Sequence, residues 1–294
     1  MKVGLVGVGT MGSRMAAKFV EGGFEVIAFD ISPQAGARAR EIGAEVVSSA
    51  AAVAAEAEVT VLSLPLPTDV AAVVAGPEGL LAAARAGQVI ADTSTVDPMS
   101  TQRMAALAAA KSVGYIDAPV LGRPQGCGNW TLPVGGDAAA LEKARPVLAK
   151  VAKRVELVGP TGSGNVVKLL NNLMFGAINA VTAEVMALCA KVGMSPRVMF
   201  DLIAGSGAAT VSNLFKELGP KMLQRDYSPL FAVDLLYKDN MLALEMAKAY
   251  RAPLPLSSAT QLLNEMARAK ALGGEDTSAL VKVYEDLFGT RVEG

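Results

Sequence analysis

The sequence predicts a doubly wound α/β domain on a parallel sheet, followed by an all-α C-terminal domain, with one long helix joining the two. Three observations carry that prediction. A short apolar strand runs straight into Gly7-Val-Gly9-Thr-Met-Gly12 and then into a helical run. Strand-like runs then alternate with alanine-rich helical segments as far as Gly159, the order expected of a parallel sheet covered on both faces. Beyond Gly159 the apolar residues recur at spacings of three and four, the period of amphipathic helices. A chain of 294 residues exceeds the usual size of one core, and the expected domains are 1–160 and 161–294.

Taken in order, Lys2 to Val8 reads as a buried strand and Ser13 to Glu21 as the helix after it. Between them Gly7 permits a tight turn, Gly9 lets the backbone approach a pyrophosphate, and Gly12 allows close helix–strand packing at the positive helix end. This is a Rossmann-type dinucleotide-binding fingerprint in strand–turn–helix context, and Thr10 and Met11 share its loop. A second strand, Glu25 to Asp30, ends in a carboxylate near the separation expected of the acidic residue that binds the adenosine ribose. Asp30 would accept from the ribose 2′- and 3′-hydroxyls and repel a 2′-phosphate, and Ile31-Ser32-Pro33 supplies no arginine for such a phosphate. NAD is therefore favoured over NADP. The plainer role for Asp30 is to start the turn toward Pro33.

Further strands are expected at Val59–Leu64, Gln88–Asp92 and Gly114–Asp117. Ligands of such sheets bind beyond the carboxyl ends of the strands, where Leu64-Pro65, Thr93-Ser94-Thr95 and Ala118-Pro119 fall. These loops are the expected nicotinamide neighbours, ordinary turn chemistry being the alternative.

In the second half a helix from Ser163 to Val192 would span about 45 Å. Further helices are expected at Pro196–Ile203, Val211–Leu223, Ala232–Tyr250, Ser257–Leu272 and Thr277–Phe288, punctuated by Gly193, Gly205, Gly219-Pro220, Pro253, Pro255 and Gly273-Gly274. Met174, Met186, Met194 and Met199 read as helix core. The long helix is expected to pack against a second subunit as well, in a homodimer or homotetramer.

Composition narrows the function. A net charge of -1 with no Lys/Arg block offers no field to attract nucleic acid or an anionic membrane, so a small-molecule partner is expected, with no nucleic acid and no membrane. The N-terminus passes directly into a strand without a charged segment and apolar core, so no secretory signal is expected and a cytoplasmic protein is. The alanine-rich run from Ala50 is broken by Glu56 and Glu58 and too short for a bilayer. Cys127 and Cys189 have no partners at metal-ligand spacing, so neither a metal site nor a disulfide is expected. The chain has no histidine, which removes Ser-His-Asp triads and histidine acid–base pairs and leaves lysine, tyrosine or a carboxylate for proton transfer.

Gly159-Pro-Thr-Gly-Ser-Gly-Asn-Val-Val-Lys168-Leu-Leu-Asn-Asn172 supplies such a group. Residues four apart share a helix face, so Lys168 and Asn172 can point together into one cleft just inside a glycine-opened helix. The plain alternative is a lysine that snorkels along an apolar surface.

Four ordered motifs resemble those of the β-hydroxyacid dehydrogenases, the family of 3-hydroxyisobutyrate dehydrogenase and tartronate semialdehyde reductase. They are Gly7-Val-Gly-Thr-Met-Gly12, Asp117-Ala-Pro-Val-Leu-Gly-Arg123, Gly162-Ser-Gly-Asn-Val-Val-Lys-Leu-Leu-Asn-Asn172, and Lys238-Asp239 within Phe231-Ala-Val-Asp-Leu-Leu-Tyr-Lys-Asp. The resemblance covers essentially the whole chain. It implies hydride transfer between a nicotinamide and the carbonyl carbon of a small acid-bearing aldehyde or its hydroxy acid. Lys168 would exchange the proton, Asn172 with Asn171 would bind the substrate, and Lys238 would border the nicotinamide. The second motif departs from the family, in which Ser-Gly-Gly usually stands where this chain has Leu121-Gly122-Arg123. Leu121 cannot donate the serine's hydrogen bond, whereas the Arg123 guanidinium can grip a carboxylate, sulfonate or phosphate in bidentate fashion. Sulfolactaldehyde reductases carry a Gly-Arg pair near this loop, offset by one position, which leaves a sulfonate substrate open. Trp130, at a position usually small in the family, either narrows the pocket or packs. An imine reductase and a non-catalytic dinucleotide-binding protein are the competing readings; Lys168 opposes the first and Leu121 keeps the second alive.

Overall fold

The computed structural model describes residues 1–206 and 212–294. The chain separates into two compact units, Met1–Lys168 and Leu169–Gly294, a division that falls inside its longest helix.

The first unit is an eight-stranded sheet built from β1 (Lys2–Val6), β2 (Glu25–Phe29), β3 (Glu45–Val46), β4 (Val59–Leu62), β5 (Val89–Asp92), β6 (Gly114–Asp117), β7 (Trp130–Gly136) and β8 (Ala152–Gly159). Its order is β3-β2-β1-β4-β5-β6-β7-β8. All neighbours from β3 to β6 run parallel. The helices between strands are α1 (Thr10–Glu21), α2 (Pro33–Ile42), α3 (Ala50–Glu56), α4 (Pro67–Ala75), α5 (Leu80–Ala83), α6 (Pro98–Ala109) and α7 (Ala138–Val151).

Two apolar cores flank this sheet because successive strand side chains point to opposite faces. Val3, Leu5, Val26, Ala28, Val59 and Val61 pack with Met15 and Phe19 of α1 and with Leu141, Val147 and Leu148 of α7. Val6, Ile27, Leu62 and Ile90 pack with Val53 of α3, Val70 and Val74 of α4, and Met104 of α6. A fully buried side chain such as Ile27 contributes about 2–3 kcal/mol, so a one-residue slip of any inner strand would exchange two apolar faces at once.

The sheet is parallel-dominated, as its alternating pattern predicts, with one antiparallel join between β6 and β7. The strands β3, β7 and β8 are absent from the sequence expectation for physical reasons. β3 has two residues, and β7 contains Pro133, Gly135 and Gly136, which read as breakers. Pro133 is tolerated because β7 pairs with β6 only at Gly135 and Gly136. β8 is an edge strand whose charged residues mask its period.

The second unit is helical: the remainder of α8 (Ser163–Lys191), then α9 (Pro196–Gly205), α10 (Asn213–Gln224), α11 (Val233–Ala249), α12 (Pro255–Ala269) and α13 (Val281–Phe288). Its core gathers Met186, Phe200, Phe215, Leu218, Met222, Val233, Val281 and Tyr284. Ser195 and Ser212 cap α9 and α10 by accepting from Val198 and Phe215 N–H groups. The expected start of the second of these, Val211, lies outside the described residues. Gly219-Pro220 does not end a helix: α10 runs through it, and Gly219 is required because a Cβ there would lie 2.2 Å from the Phe200 ring. The expected helix Thr277–Phe288 begins with a 3-10 turn over Thr277–Leu280. Met186 is buried and Met199 packs against the core. Met174 and Met194 instead face solvent, correcting their assignment to the core.

By length and composition α8 could cross a membrane. Its buried amides find protein partners, however. Asn165 Nδ2 donates to Thr101 Oγ1, Asn172 Nδ2 to Asp239, and Asn179 Nδ2 to the Thr277 carbonyl.

Candidate active site

In the first unit β1 ends at Val6 and the glycine turn follows. Gly7 has φ +91° and presses on the loop after β4, where a Cβ would lie 2.3 Å from the Ser63 carbonyl oxygen. Gly12 packs on Gly7 so closely that a Cβ would approach its carbonyl oxygen to 1.9 Å. Gly9 faces open space and caps α1 without a side-chain acceptor. Because α1 starts at Thr10, one turn before the expected Ser13, Thr10 and Met11 belong to the first turn of the helix. The result is a helix N-terminus with an open approach, the geometry that receives a pyrophosphate.

Asp30 stands just beyond β2. Its Oδ2 accepts from the Val8 N–H at 2.7 Å and its Oδ1 from the Ser32 N–H at 2.8 Å. The carboxylate therefore organises the turn and grips the glycine loop, and each ionised oxygen retains acceptor capacity. The ribose role and the turn role are compatible.

The loops after β4 and β5, both expected ligand neighbours, are braced together by hydrogen bonds that the sequence does not show. Ser94 Oγ accepts from the Leu64 N–H at 2.9 Å, and Asp92 Oδ1 accepts from the Ser94 N–H at 2.9 Å. Asp92 Oδ2 takes the Tyr115 hydroxyl at 2.8 Å. Burial pushes the Asp92 carboxyl up, against the Ser94 hydrogen bonds, and pushes the Tyr115 hydroxyl well up, reinforced by the Asp92 charge. Around this brace Leu64 and Thr95 are half-buried and Pro65 is exposed.

Leu121 forms an isolated bridge with Thr131, donating to its carbonyl at 2.9 Å and accepting from its N–H at 3.3 Å. Trp130 is buried beneath this loop. Its Nε1 donates to the Arg123 carbonyl at 2.7 Å, and a Cβ on Gly122 would lie 2.2 Å from Trp130 Cδ1. Of the two roles open to Trp130, packing is the one realised: the indole buttresses the backbone from Gly122 to Arg123. Arg123 itself is half-buried.

The start of α8 is anchored by a carboxylate from β6. Asp117 Oδ1 accepts from the Gly162 N–H at 2.7 Å and Oδ2 from the Asn165 N–H at 2.8 Å. Asn165 Oδ1 in turn accepts from the Val96 N–H at 3.2 Å. Burial raises the Asp117 carboxyl to about 6 against the opposing effect of its two N–H donors. Lys168, half-buried, follows three residues after Asn165.

In the second unit Asn172 is buried and its amide is engaged at both ends. Asn171 Nδ2 donates to Asn172 Oδ1 at 3.0 Å, and Asn172 Nδ2 donates to Asp239 Oδ2. Lys238 Nζ lies 2.8 Å from Asp239 Oδ1. Asn171, Asn172, Lys238 and Asp239, the last quoted in the fourth motif without a role, thus form one polar cluster.

Two family models match the chain. That of the NAD binding domain of 6-phosphogluconate dehydrogenase covers residues 2–159. That of the NAD-binding region of NADP-dependent 3-hydroxyisobutyrate dehydrogenase covers residues 162–284. A 2-(hydroxymethyl)glutarate dehydrogenase from Eubacterium barkeri is 38% identical over 100% of this chain and 98% of its own. A 3-hydroxyisobutyrate dehydrogenase from Pseudomonas aeruginosa is 35% identical over 96% of this chain and 98% of its own. The solved structure of a 3-hydroxyisobutyrate dehydrogenase from Salmonella typhimurium superposes with a TM-score of 0.88 at 32% identity, covering 96% of this chain and 99% of that one.

Proposed function

The chain belongs to the β-hydroxyacid dehydrogenase family, and we propose that it interconverts a small 3-hydroxy acid and its semialdehyde with NAD(H), Lys168 exchanging the proton. NAD(P)-dependent 3-hydroxyacid dehydrogenase chemistry is the activity its relatives share. The preference for NAD rests on Asp30, whose remaining lone pairs suit ribose hydroxyls and whose charge opposes a 2′-phosphate. The open α1 N-terminus, with Gly9 facing free space, suits the pyrophosphate.

Bound dihydronicotinamide supplies the hydride. Lys168 gives its ammonium proton to the carbonyl oxygen as that oxygen gains charge, and takes the proton back in oxidation. Asn172, on the same face of α8 by its spacing of four, orients the substrate through an amide whose direction Asp239 sets by accepting from Nδ2. The observation that carries the reading is this pairing of Lys168 and Asn172 in a chain without histidine. Leu121, Gly122 and Arg123 hold the acid group, with Arg123 supplying the charge that the Leu121 side chain lacks. The relative named for 2-(hydroxymethyl)glutarate acts on a hydroxymethyl acid with a second carboxylate. A substrate bearing an acid group of that kind suits Arg123 here.

The test is NADH and NADPH oxidation against short aldehydes bearing carboxylate, sulfonate, phosphate or no acid group, on the parent and on Lys168→Ala. Turnover confined to acid-bearing aldehydes, faster with NADH and lost in Lys168→Ala, is expected. Undiminished turnover in Lys168→Ala with cofactor still bound would remove the proton-exchange role. Silence of the parent across the panel despite NADH binding would remove the substrate class.

A further inference from the structure

Asp117 has no part in the reaction described above, yet it is fully buried at the end of β6 and spends both carboxylate oxygens on the first turn of α8. A serine or asparagine next to the helix start would satisfy such N–H groups without burying a charge, because helix caps are ordinarily local. Here the acceptor is a charged group 45 residues away in sequence, carried by a strand inside the sheet. A local cap follows its helix wherever the helix goes; a strand-borne carboxylate ties the helix to the sheet.

The surroundings tighten that tie. A Cβ on Gly135 of β7 would lie 2.5 Å from Asp117 Oδ1 and 2.7 Å from the Ser163 nitrogen. One on Gly164 would lie 2.5 Å from the Pro133 carbonyl oxygen and 2.9 Å from Asp117 Oδ2. Two glycines thus bring helix, strand and carboxylate into van der Waals contact. Asn165 adds a second strut, accepting from the Val96 N–H and donating Nδ2 to Thr101 Oγ1 at 3.2 Å. The first turn of α8 is held to β6, to β7 and to the segment that leads from β5 into α6.

We infer that Asp117 and Asn165 are positioning residues for Lys168, clamping the start of α8 to the sheet so that the ammonium one turn later keeps a fixed place relative to the cofactor loops of the same unit. This rests on Lys168 as the proton-exchanging residue. The energetics favour placement over stability as the purpose: burial raises the Asp117 carboxyl to about 6, so the charged clamp is costly where a neutral cap is not. The consequence is large because a misplacement of about 1 Å at a reacting group can reduce a rate by about a hundredfold.

Two variants of the full chain test the clamp by separate chemistry. Asp117→Asn keeps the shape but turns an amide NH2 toward one of the two N–H donors, and Asn165→Ala removes the struts to Val96 and Thr101. Each is assayed with saturating NADH and the acid-bearing aldehyde the parent turns over best, beside NADH affinity and thermal unfolding. In both, kcat is expected to fall by about ten- to a hundredfold, with substrate KM and NADH Kd changed by less than about threefold. A kcat within about twofold of the parent in either soluble variant overturns the inference, as does a loss of NADH affinity that parallels the loss of kcat. Insolubility of both would show that the pair serves folding and would also overturn it. Lys168→Ala serves as the control on the premise: full turnover there would remove the reading on which the clamp depends, whatever Asp117→Asn does.

Discussion

Replacing Asp117 by Asn should remove a pH dependence of stability whose sign and size follow from burial. The carboxyl is raised from 3.8 to about 6 in the folded chain, chiefly by burial. A raised carboxyl binds its proton more tightly folded than unfolded, so its contribution to stability is fully present below about pH 4 and is lost as pH rises through about 6. At about 1.4 kcal/mol for each pH unit, the rise corresponds to about 3 kcal/mol. Asn does not titrate and lacks this cost at neutral pH, but it keeps only one of the two N–H acceptances and meets the other donor with a donor, for about 1–3 kcal/mol. The two effects nearly cancel at pH 7.5, so the variant should fold there with stability close to the parent. At pH 4.5, where the parent has regained most of its 3 kcal/mol, the variant should be the less stable. The assay is urea unfolding of parent and variant at pH 4.5, 5.5 and 7.5, read as the difference between the two at each pH, which cancels groups common to both. Asp92 and Tyr115, the titratable groups beside Asp117, are present in both proteins. A difference that stays constant with pH, or that favours the parent more as pH rises, refutes the reasoning.

Asp30→Ala should raise the KM for NADH by about tenfold or more, the worth of charge-assisted hydrogen bonds of about 1.5–3 kcal/mol. NADPH should suffer less, and an unchanged ratio of the two cofactors in steady-state kinetics would sink the ribose assignment. Arg123→Ala should weaken acid-bearing aldehydes by roughly ten- to a hundredfold in kcat/KM, on the strength of a lost bidentate pair. Equal loss on a neutral aldehyde would show that the guanidinium does not hold the acid group. Leu170, Met174, Val181, Val185 and Leu188 leave large apolar side chains exposed along α8, and patches of this kind mark protein interfaces. Val181→Glu should therefore shift a homodimer or homotetramer toward monomer in light scattering; a parent that is already monomeric at micromolar concentration removes that expectation.

Much of the architecture was readable from local pattern. Gly7, Gly9 and Gly12 announce the first turn because only glycine tolerates the φ at Gly7 and the contact at Gly12, and such constraints act within a few residues. The strands β1, β2, β4, β5 and β6 and the long α8 are continuous apolar runs or sustained helical periods, bounded to within about two residues. Where the pattern failed, a tertiary partner had overruled a local signal. Pro133 sits in β7 because β6 pairs only with the last residues of that strand, and Gly135 sits there because a Cβ would lie 2.5 Å from Asp117 Oδ1. Gly219-Pro220, read as punctuation although the expected helix spans it, lies inside α10, where Phe200 takes the space of the Gly219 side chain. Solvent claims Met174 and Met194 on faces that a Met-rich composition suggests are core.

In the candidate site the division is the same. The placement of Lys168 and Asn172 one turn apart on α8 was legible because helical spacing is a property of the chain itself. The long-range contacts around them were not: Asp117 meets Gly162 across 45 residues, Asn172 meets Asp239 across 67, and Asn165 meets Val96 across 69. Trp130 could have been pocket or packing from its identity alone, and only the 2.7 Å bond to the Arg123 carbonyl decided for packing. The sequence by itself determined the five strands β1, β2, β4, β5 and β6 ahead of a helical second half, the dinucleotide fingerprint and the residue types available for chemistry, since periodicity, glycine placement and composition are local. Only the tertiary structure decided which carboxylate holds which amide, because that depends on sheet order and register, and a hydrogen bond is made or lost within a few tenths of an ångström.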